Sequence, residues 1–315
     1  MSITLPRIVF VLGKGGVGRS TVAAALGTEL ARRGKRTCVF GWTVTDPISP
    51  WFGFPPADLA PQEVAPRLHV ANYRLDETLE LYFAKHLGLP RFYRHVIDSV
   101  HIRKLIQAAP GIAEVFFIGH LWWLTTLAAT ESDLHFDCIV VDAPATGHGA
   151  SLLDVPSVLA SLRATGLVSV ETARVVQMMA DPKWTGALVV TLADELSSEE
   201  TAELVPRIKQ RLARPPLVAL VNRSVPRAVG SHLETTGATL RERFSPSARA
   251  GVDTVVTELR ARVRIESALR DALEGATTHG VVSLEEQLMM AEDYEPRAVV
   301  RALASGLSAW LGDES

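Results

Sequence analysis

The sequence predicts an α/β fold: a doubly wound, mostly parallel sheet with a small helical subdomain. Three observations predict it. Short, continuously apolar runs recur, such as Ile8-Val9-Phe10-Val11-Leu12 and Cys138-Ile139-Val140-Val141, as in strands buried on both faces. The first run leads through a glycine-rich turn and a helix-like segment to a second run at Thr37–Trp42, the strand, crossover helix, strand order of a parallel sheet. A later run closes on Asp142, and a polar residue at the carboxyl end of a parallel strand lies where such sheets bind ligands. With 315 residues and 47% hydrophobic content, one domain spanning 1–315 is expected, with a helical insertion at about 76–130.

The turn after the first strand is Leu12-Gly13-Lys14-Gly15-Gly16-Val17-Gly18-Arg19-Ser20-Thr21. Its glycines let the backbone N–H groups of Gly13, Gly15, Gly16, Val17 and Gly18 face a polyphosphate. The helix opening near Ser20 adds unpaired N–H donors and its positive dipole end. The spacing Gly13-x4-Gly18-Arg19-Ser20 is that of the P-loop, with Arg19 where lysine is usual. In that motif Ser20 ligates Mg²⁺, Thr21 lies near the α-phosphate, and Arg19 stands in for a lysine that reaches the β and γ oxygens. The charge is kept but the geometry changes, since a guanidinium is a planar fork and an ammonium a compact point charge.

From Ser20 to Arg33 the sequence reads as a helix, with Val22, Leu26 and Leu30 on one face and Gly34 as the stop. The stretch 43–66 holds Pro47, Pro50, Pro55, Pro56, Pro61 and Pro66, so an ordered loop near the site is expected. Leu68–Asn72 reads as a strand. Residues 76–130 read as helical, broken at Gly88-Leu89-Pro90 and Ala109-Pro110-Gly111. Their aromatic bulk (Tyr82, Phe116, Phe117, Trp122, Trp123) suits core packing better than a client groove. After Asp142 comes Ala143-Pro144-Ala145-Thr146-Gly147-His148, where Gly147 is a candidate to meet the γ-phosphate and Asp142 to support Mg²⁺. Ala187–Thr191 and Leu217–Val221 are further strands. The second runs into a loop, Asn222-Arg223-Ser224-Val225-Pro226, suited to reading a base with an amide edge. Near the C-terminus Val299, Val300, Leu303, Leu307 and Trp310 have helical spacing. Packing on the sheet suits that helix better than membrane targeting, because few basic residues line it.

Composition narrows the function classes. A net charge of −3 and a pI near 6.3 argue against a general nucleic-acid binder. The two cysteines, Cys38 and Cys138, each sit inside a strand-like run and read as buried thiols of a reducing compartment. The nine histidines form no metal-binding spacing, and no G-x-S-x-G elbow occurs. Neither a leader-like N-terminal stretch nor a run near the ~20 apolar residues of a spanning helix is present. A cytoplasmic protein is expected.

The run Gly-Lys-Gly-Gly-Val-Gly-x-Ser-Thr resembles the deviant P-loops of the ParA, MinD, nitrogenase iron-protein and ArsA group of dimeric nucleotide switches. Two more motifs narrow the resemblance to the ArsA-type ATPases, which include arsenite-pump motors and the eukaryotic tail-anchored-protein targeting factor. Asp142–His148 is similar to that family's Asp-Thr-Ala-Pro-Thr-Gly-His switch. Asp181-Pro182-Lys183-Trp184-Thr185, Val190-Thr191-Leu192-Ala193-Asp194-Glu195-Leu196 and Glu200-Thr201 are similar to its D-P-x-x-T, V-T-x-P-E-x-L and E-T run. Asn222 matches the asparagine on its adenine side, with Arg223 beside it.

The resemblance implies an ATP- and Mg²⁺-dependent dimeric switch in which Lys14 reaches the partner's nucleotide. The dimer would be a homodimer or a heterodimer with a paralogous ArsA-like chain, acting on a protein or membrane client and not on nucleic acid. The family's first switch, Ser-Thr-Asp-Pro-Ala-His, carries the aspartate that orients the attacking water. Thr45-Asp46-Pro47 looks like its Thr-Asp-Pro, whereas ungapped counting from Gly34 places Thr43 there, so both Asp46 and Thr43 are candidates. The segment before Asp181 leaves little room for long client-binding helices, and the outline is closest to single-domain bacterial relatives. The alternative is a nucleotide-binding, hydrolysis-poor regulatory subunit that lends Lys14 to a competent paralogue. A ParA- or MinD-like positioning ATPase fits the low basic content and the Thr146-Gly147-His148 switch least well.

Overall fold

Strand β1 (Ile8–Gly13) lies inside a sheet that extends to both sides of it. The computed structural model describes residues 3–86, 111–126, 135–144, 151–161, 167–286 and 295–312. With β2 (Thr37–Gly41), β3 (Gln62–Ala65), β4 (Leu68–Asn72), β5 (Cys138–Asp142), β6 (Thr185–Leu192), β7 (Ala219–Ser224) and β8 (Val281–Glu285), the strand order is β3-β4-β2-β5-β1-β6-β7-β8. All neighbours are parallel except β3 and β4. The expected fold class is the one observed.

Alternation along the central strands feeds two apolar layers. Val9, Val11, Val39, Val140, Leu188 and Val190 face α1 (Arg19–Arg32) and the helix Pro296–Leu311. Ile8, Phe10, Phe40, Ile139, Val141 and Val189 face the helices Ile112–Thr126, Glu195–Leu212 and Pro246–Leu273. Both faces are covered, which is why these strands read as unbroken apolar runs. Cys38 and Cys138 belong to opposite layers, both thiols are free, and burial pushes both thiol pKa values up.

Several expectations need correction. Residues 43–66 are not all loop: a 3-10 turn forms at Ser49–Phe52, and Gln62–Ala65 pairs antiparallel with β4 at the sheet edge. The stretch Asn222-Arg223-Ser224 is the end of β7 and not a loop, because Ser224 pairs with Glu285 of β8. Of the helical region at 76–130, Leu75–His86 and Ile112–Thr126 are helices, and 87–110 lies outside the described residues. Phe117 is fully buried against Phe40 and Tyr73, so this part of the aromatic bulk is core.

The helix Pro296–Leu311 docks on α1. Val300, Leu303, Leu307 and Leu311 are buried in the same layer as Val22, Leu26 and Leu30. Arg33 donates to the Ser308 and Gly312 carbonyls. Burial alone would raise the pKa of the buried Glu29, but bonds from Arg32 and Arg33 hold its carboxyl below the usual range. The apolar stripe is packed inward, as the packing reading required. No helix among the described residues is long and apolar enough to cross a membrane.

Candidate functional site

The carboxyl ends of β1, β5 and β2 meet at one edge of the sheet, where Asp142 sits level with Val11 and Gly41. The glycine-rich turn leaves β1 there and enters α1. A Cβ on Gly13 would lie 2.2 Å from the Val190 carbonyl oxygen, and one on Gly18 only 2.3 Å from Asn222 Nδ2. Gly18, at φ 90, occupies the N-cap of α1 and supplies no side-chain cap. The first-turn N–H groups of Arg19, Ser20 and Thr21 thus keep the donor capacity of an uncapped helix start.

Ser20 Oγ donates to Asp142 Oδ2 at 2.6 Å, and Arg19 Nη1 donates to the Ala143 carbonyl at 2.7 Å. Asp142 is 2% exposed. Burial holds its carboxyl above the usual range, opposed by the Ser20 hydroxyl and the Arg19 charge, with Asp46 pushing the same way as burial. For Arg19, burial lowers the pKa and the Asp142 carboxylate opposes it. A buried carboxylate raised in this way is relieved by a cation. The hydroxyl and carboxylate beside an uncapped glycine turn fit a polyphosphate with its Mg²⁺, which takes few protein ligands and completes its shell with phosphate oxygens and water.

Asn222 Nδ2 donates to the Val17 carbonyl at 2.9 Å, bringing the end of β7 against the turn across 205 residues of sequence. That bond orients the amide and uses one of its two N–H donors, so the second N–H and Oδ1 form its remaining edge. Arg223, in the left-handed region at φ 52, pairs with Glu286, which also binds Arg262. These partners of Arg223 are not legible in the sequence, since the β7–β8 pairing brings Glu286 and the helix Pro246–Leu273 brings Arg262.

The two water-positioning candidates are both engaged. Asp46 is 3% exposed, and its oxygens accept from the backbone N–H groups of Ile48, Ser49 and Ala57 at 2.8, 3.1 and 2.9 Å. Thr43 Oγ1 is 3.0 Å from the Thr45 carbonyl and 3.2 Å from Asn72 Oδ1, both acceptors for its proton. Lys14 Nζ lies 3.7 Å from Glu200 Oε1, and Glu200 Oε2 is buried with no hydrogen-bond partner among the described residues. Glu200 belongs to a motif visible in the sequence, but its approach to Lys14 is a tertiary fact. Gly147 lies outside the described residues.

The sequence model of the family described as Anion-transporting ATPase, ArsA_ATPase, matches residues 6–166. That span covers the turn, Asp46 and Asp142. The chain belongs to the ArsA ATPase family. It is similar to the ATPase BagA of Mycobacterium tuberculosis, 29% identical over 263 residues, covering 80% of this chain and 75% of that protein. It is also similar to ATPase ASNA1 homolog 1 of Paramecium tetraurelia, 26% identical over 151 residues, or 48% of this chain and 44% of the relative. ArsA proteins are ATPases by name and by these relatives.

Proposed function

We propose that this ArsA-family chain is an Mg²⁺-dependent ATP hydrolase that works as a dimeric switch coupled to a protein or membrane client. The observation that carries the reading is the Ser20–Asp142 contact at the mouth of an uncapped glycine turn. In this reading the backbone of Gly13–Gly18 and the start of α1 bind the phosphates, while Ser20 and Asp142 hold Mg²⁺. The metal would neutralise charge developing on the transferred phosphoryl group. Lys14 would exchange Glu200 for the partner's nucleotide, and release of phosphate would let the segment after Asp142 relax.

Steady-state turnover of the purified chain with Mg²⁺, with binding of a fluorescent ATP analogue as the folding control, tests this. Turnover that disappears in Ser20→Ala supports it; nucleotide binding without any turnover overturns hydrolysis by the isolated chain. A second reading draws on the engaged Asp46 and Thr43. There the chain binds nucleotide, hydrolyses poorly, and serves as the regulatory partner of a paralogous ATPase. Binding without turnover, with stimulation of such a partner lost in Lys14→Ala, is its signature.

One N–H of Asn222 Nδ2 is held by Val17, which leaves Oδ1 and the second N–H as the edge that would read adenine. Asn222 Oδ1 would accept a hydrogen bond from the 6-amino group, and the 6-oxo group of inosine has no proton to donate to it. ATP is expected to outcompete ITP about tenfold, the equivalent of one net hydrogen bond. In Asn222→Ala the two should compete within about twofold. Unchanged preference in that variant would place base selection elsewhere.

A further inference from the structure

We propose that Arg19 is a positioning residue that ties the phosphate-binding turn to the end of β5, so that phosphate contact sets the position of Asp142 for Mg²⁺. This inference rests on the ATPase reading and deepens it, since that reading needs only a positive charge at position 19. Two consecutive residues of α1 grip two consecutive residues of β5's end: Arg19 holds the Ala143 carbonyl at 2.7 Å and Ser20 holds Asp142 at 2.6 Å. A displacement of the turn is therefore passed to 142–143 by two parallel bonds. Ala143 is 2% exposed and precedes Pro144, which restricts it to extended conformations and so fixes its carbonyl direction. A buried carbonyl needs a donor, and Arg19 supplies it.

The side-chain chemistry explains why arginine stands here. A lysine ammonium ends one atom short of the guanidinium Nη, roughly 1.3 Å in reach, so from the same backbone it falls outside hydrogen-bond distance of Ala143. The guanidinium has five N–H donors in a plane. One is committed to Ala143, and the rest of the fork remains beside Asp142 and the turn. A point charge serves one partner at a time, whereas a planar fork serves a carbonyl on one side and a phosphate on the other. Arg19 is in this view a bridge and not an imperfect lysine.

The test compares full-length wild type with Arg19→Lys and Arg19→Ala. Affinity for a fluorescent ATP analogue is measured in EDTA and in Mg²⁺, alongside kcat and KM. Arg19→Lys keeps the charge, so its metal-free affinity should stay within about threefold of wild type. Its gain in affinity on adding Mg²⁺ should fall by about tenfold, and kcat should fall about tenfold with little change in KM. Ethylguanidinium should restore the Mg²⁺ gain to Arg19→Ala, and butylammonium should not. Full Mg²⁺ gain with equal or higher kcat in Arg19→Lys, or equal rescue by both cations, would overturn the bridge. A wild-type chain that binds no nucleotide sinks the ATPase reading instead, a result distinct from either outcome for the variants.

Discussion

Replacing Asp142 with asparagine is expected to raise the melting temperature of the nucleotide-free protein while lowering ATP turnover by about a thousandfold. Both effects come from one cause. Burial lifts the Asp142 carboxyl above the ordinary carboxylate range, so at neutral pH its ionised form costs folding free energy. The sign follows from linkage: a raised folded pKa favours the folded state at low pH. That advantage is lost as pH rises from the unfolded carboxylate value through the raised folded one. Asparagine still offers Ser20 an acceptor and carries no charge to desolvate, so a gain of about 1–4 °C is expected near neutral pH. The gain should vanish in acid, where aspartic acid is neutral as well. The stabilisation that Mg²⁺-ATP gives wild type should be absent. Thermal melts across pH, with and without Mg²⁺-ATP, read all three. A variant that melts lower and still turns over would remove Asp142 from the metal site.

The second large effect concerns Lys14. Its alanine variant should retain ATP binding within about threefold and lose about a hundredfold or more in turnover, the scale of a removed transition-state cation. In the described conformation Lys14 is held by Glu200 at 3.7 Å, with side-chain exposures of 23% and 36%. Such a half-exposed pair contributes about 0–1 kcal/mol. Glu200→Gln should therefore raise turnover by no more than about fivefold. Mixing Lys14→Ala with Ser20→Ala subunits decides whether the lysine acts across the dimer. One competent site per mixed dimer predicts recovery to about a quarter of wild-type turnover in a random mixture. No recovery would mean that Lys14 serves its own nucleotide. A Glu200→Gln loss as deep as that of Lys14→Ala would make Glu200 part of the reaction.

Much of the fold was legible because the central strands are buried on both faces: β1, β2, β4 and β5 follow the apolar runs within a residue or two. The edges were not. In β8, Val281-Val282-Ser283-Leu284-Glu285 is only partly buried and has no unbroken apolar signature, and β3 lies between Pro61 and Pro66. Proline flanks an edge strand without cost because only one side is paired, so a proline-rich stretch was read as loop. The helices Leu233–Arg243 and Pro246–Leu273 were not read either, being largely exposed and rich in paired charges such as Arg241–Asp253. At the site, the turn, Ser20, Asp142 and Asn222 were legible from local chemistry, and the structure brings these four together. What sequence could not supply were partners distant in the chain: Ala143 for Arg19, Glu200 for Lys14, Val17 for Asn222. The choice between Asp46 and Thr43 turned on an ungapped count, which loops do not respect.

Asp46 acts as a clasp, one carboxylate closing on three N–H groups drawn from both ends of a twelve-residue arc, positions 46 to 57. Oδ1 holds Ile48 while Oδ2 holds Ser49 and Ala57, so swinging the whole carboxylate out of the arc would release all three N–H groups. Were Asp46 the residue that orients the attacking water, turnover would be timed by opening of this arc, on the microsecond-to-millisecond scale of loop motion. In that case kcat would record a waiting time, slowed by a viscous solvent and largely indifferent to which nucleoside carries the triphosphate.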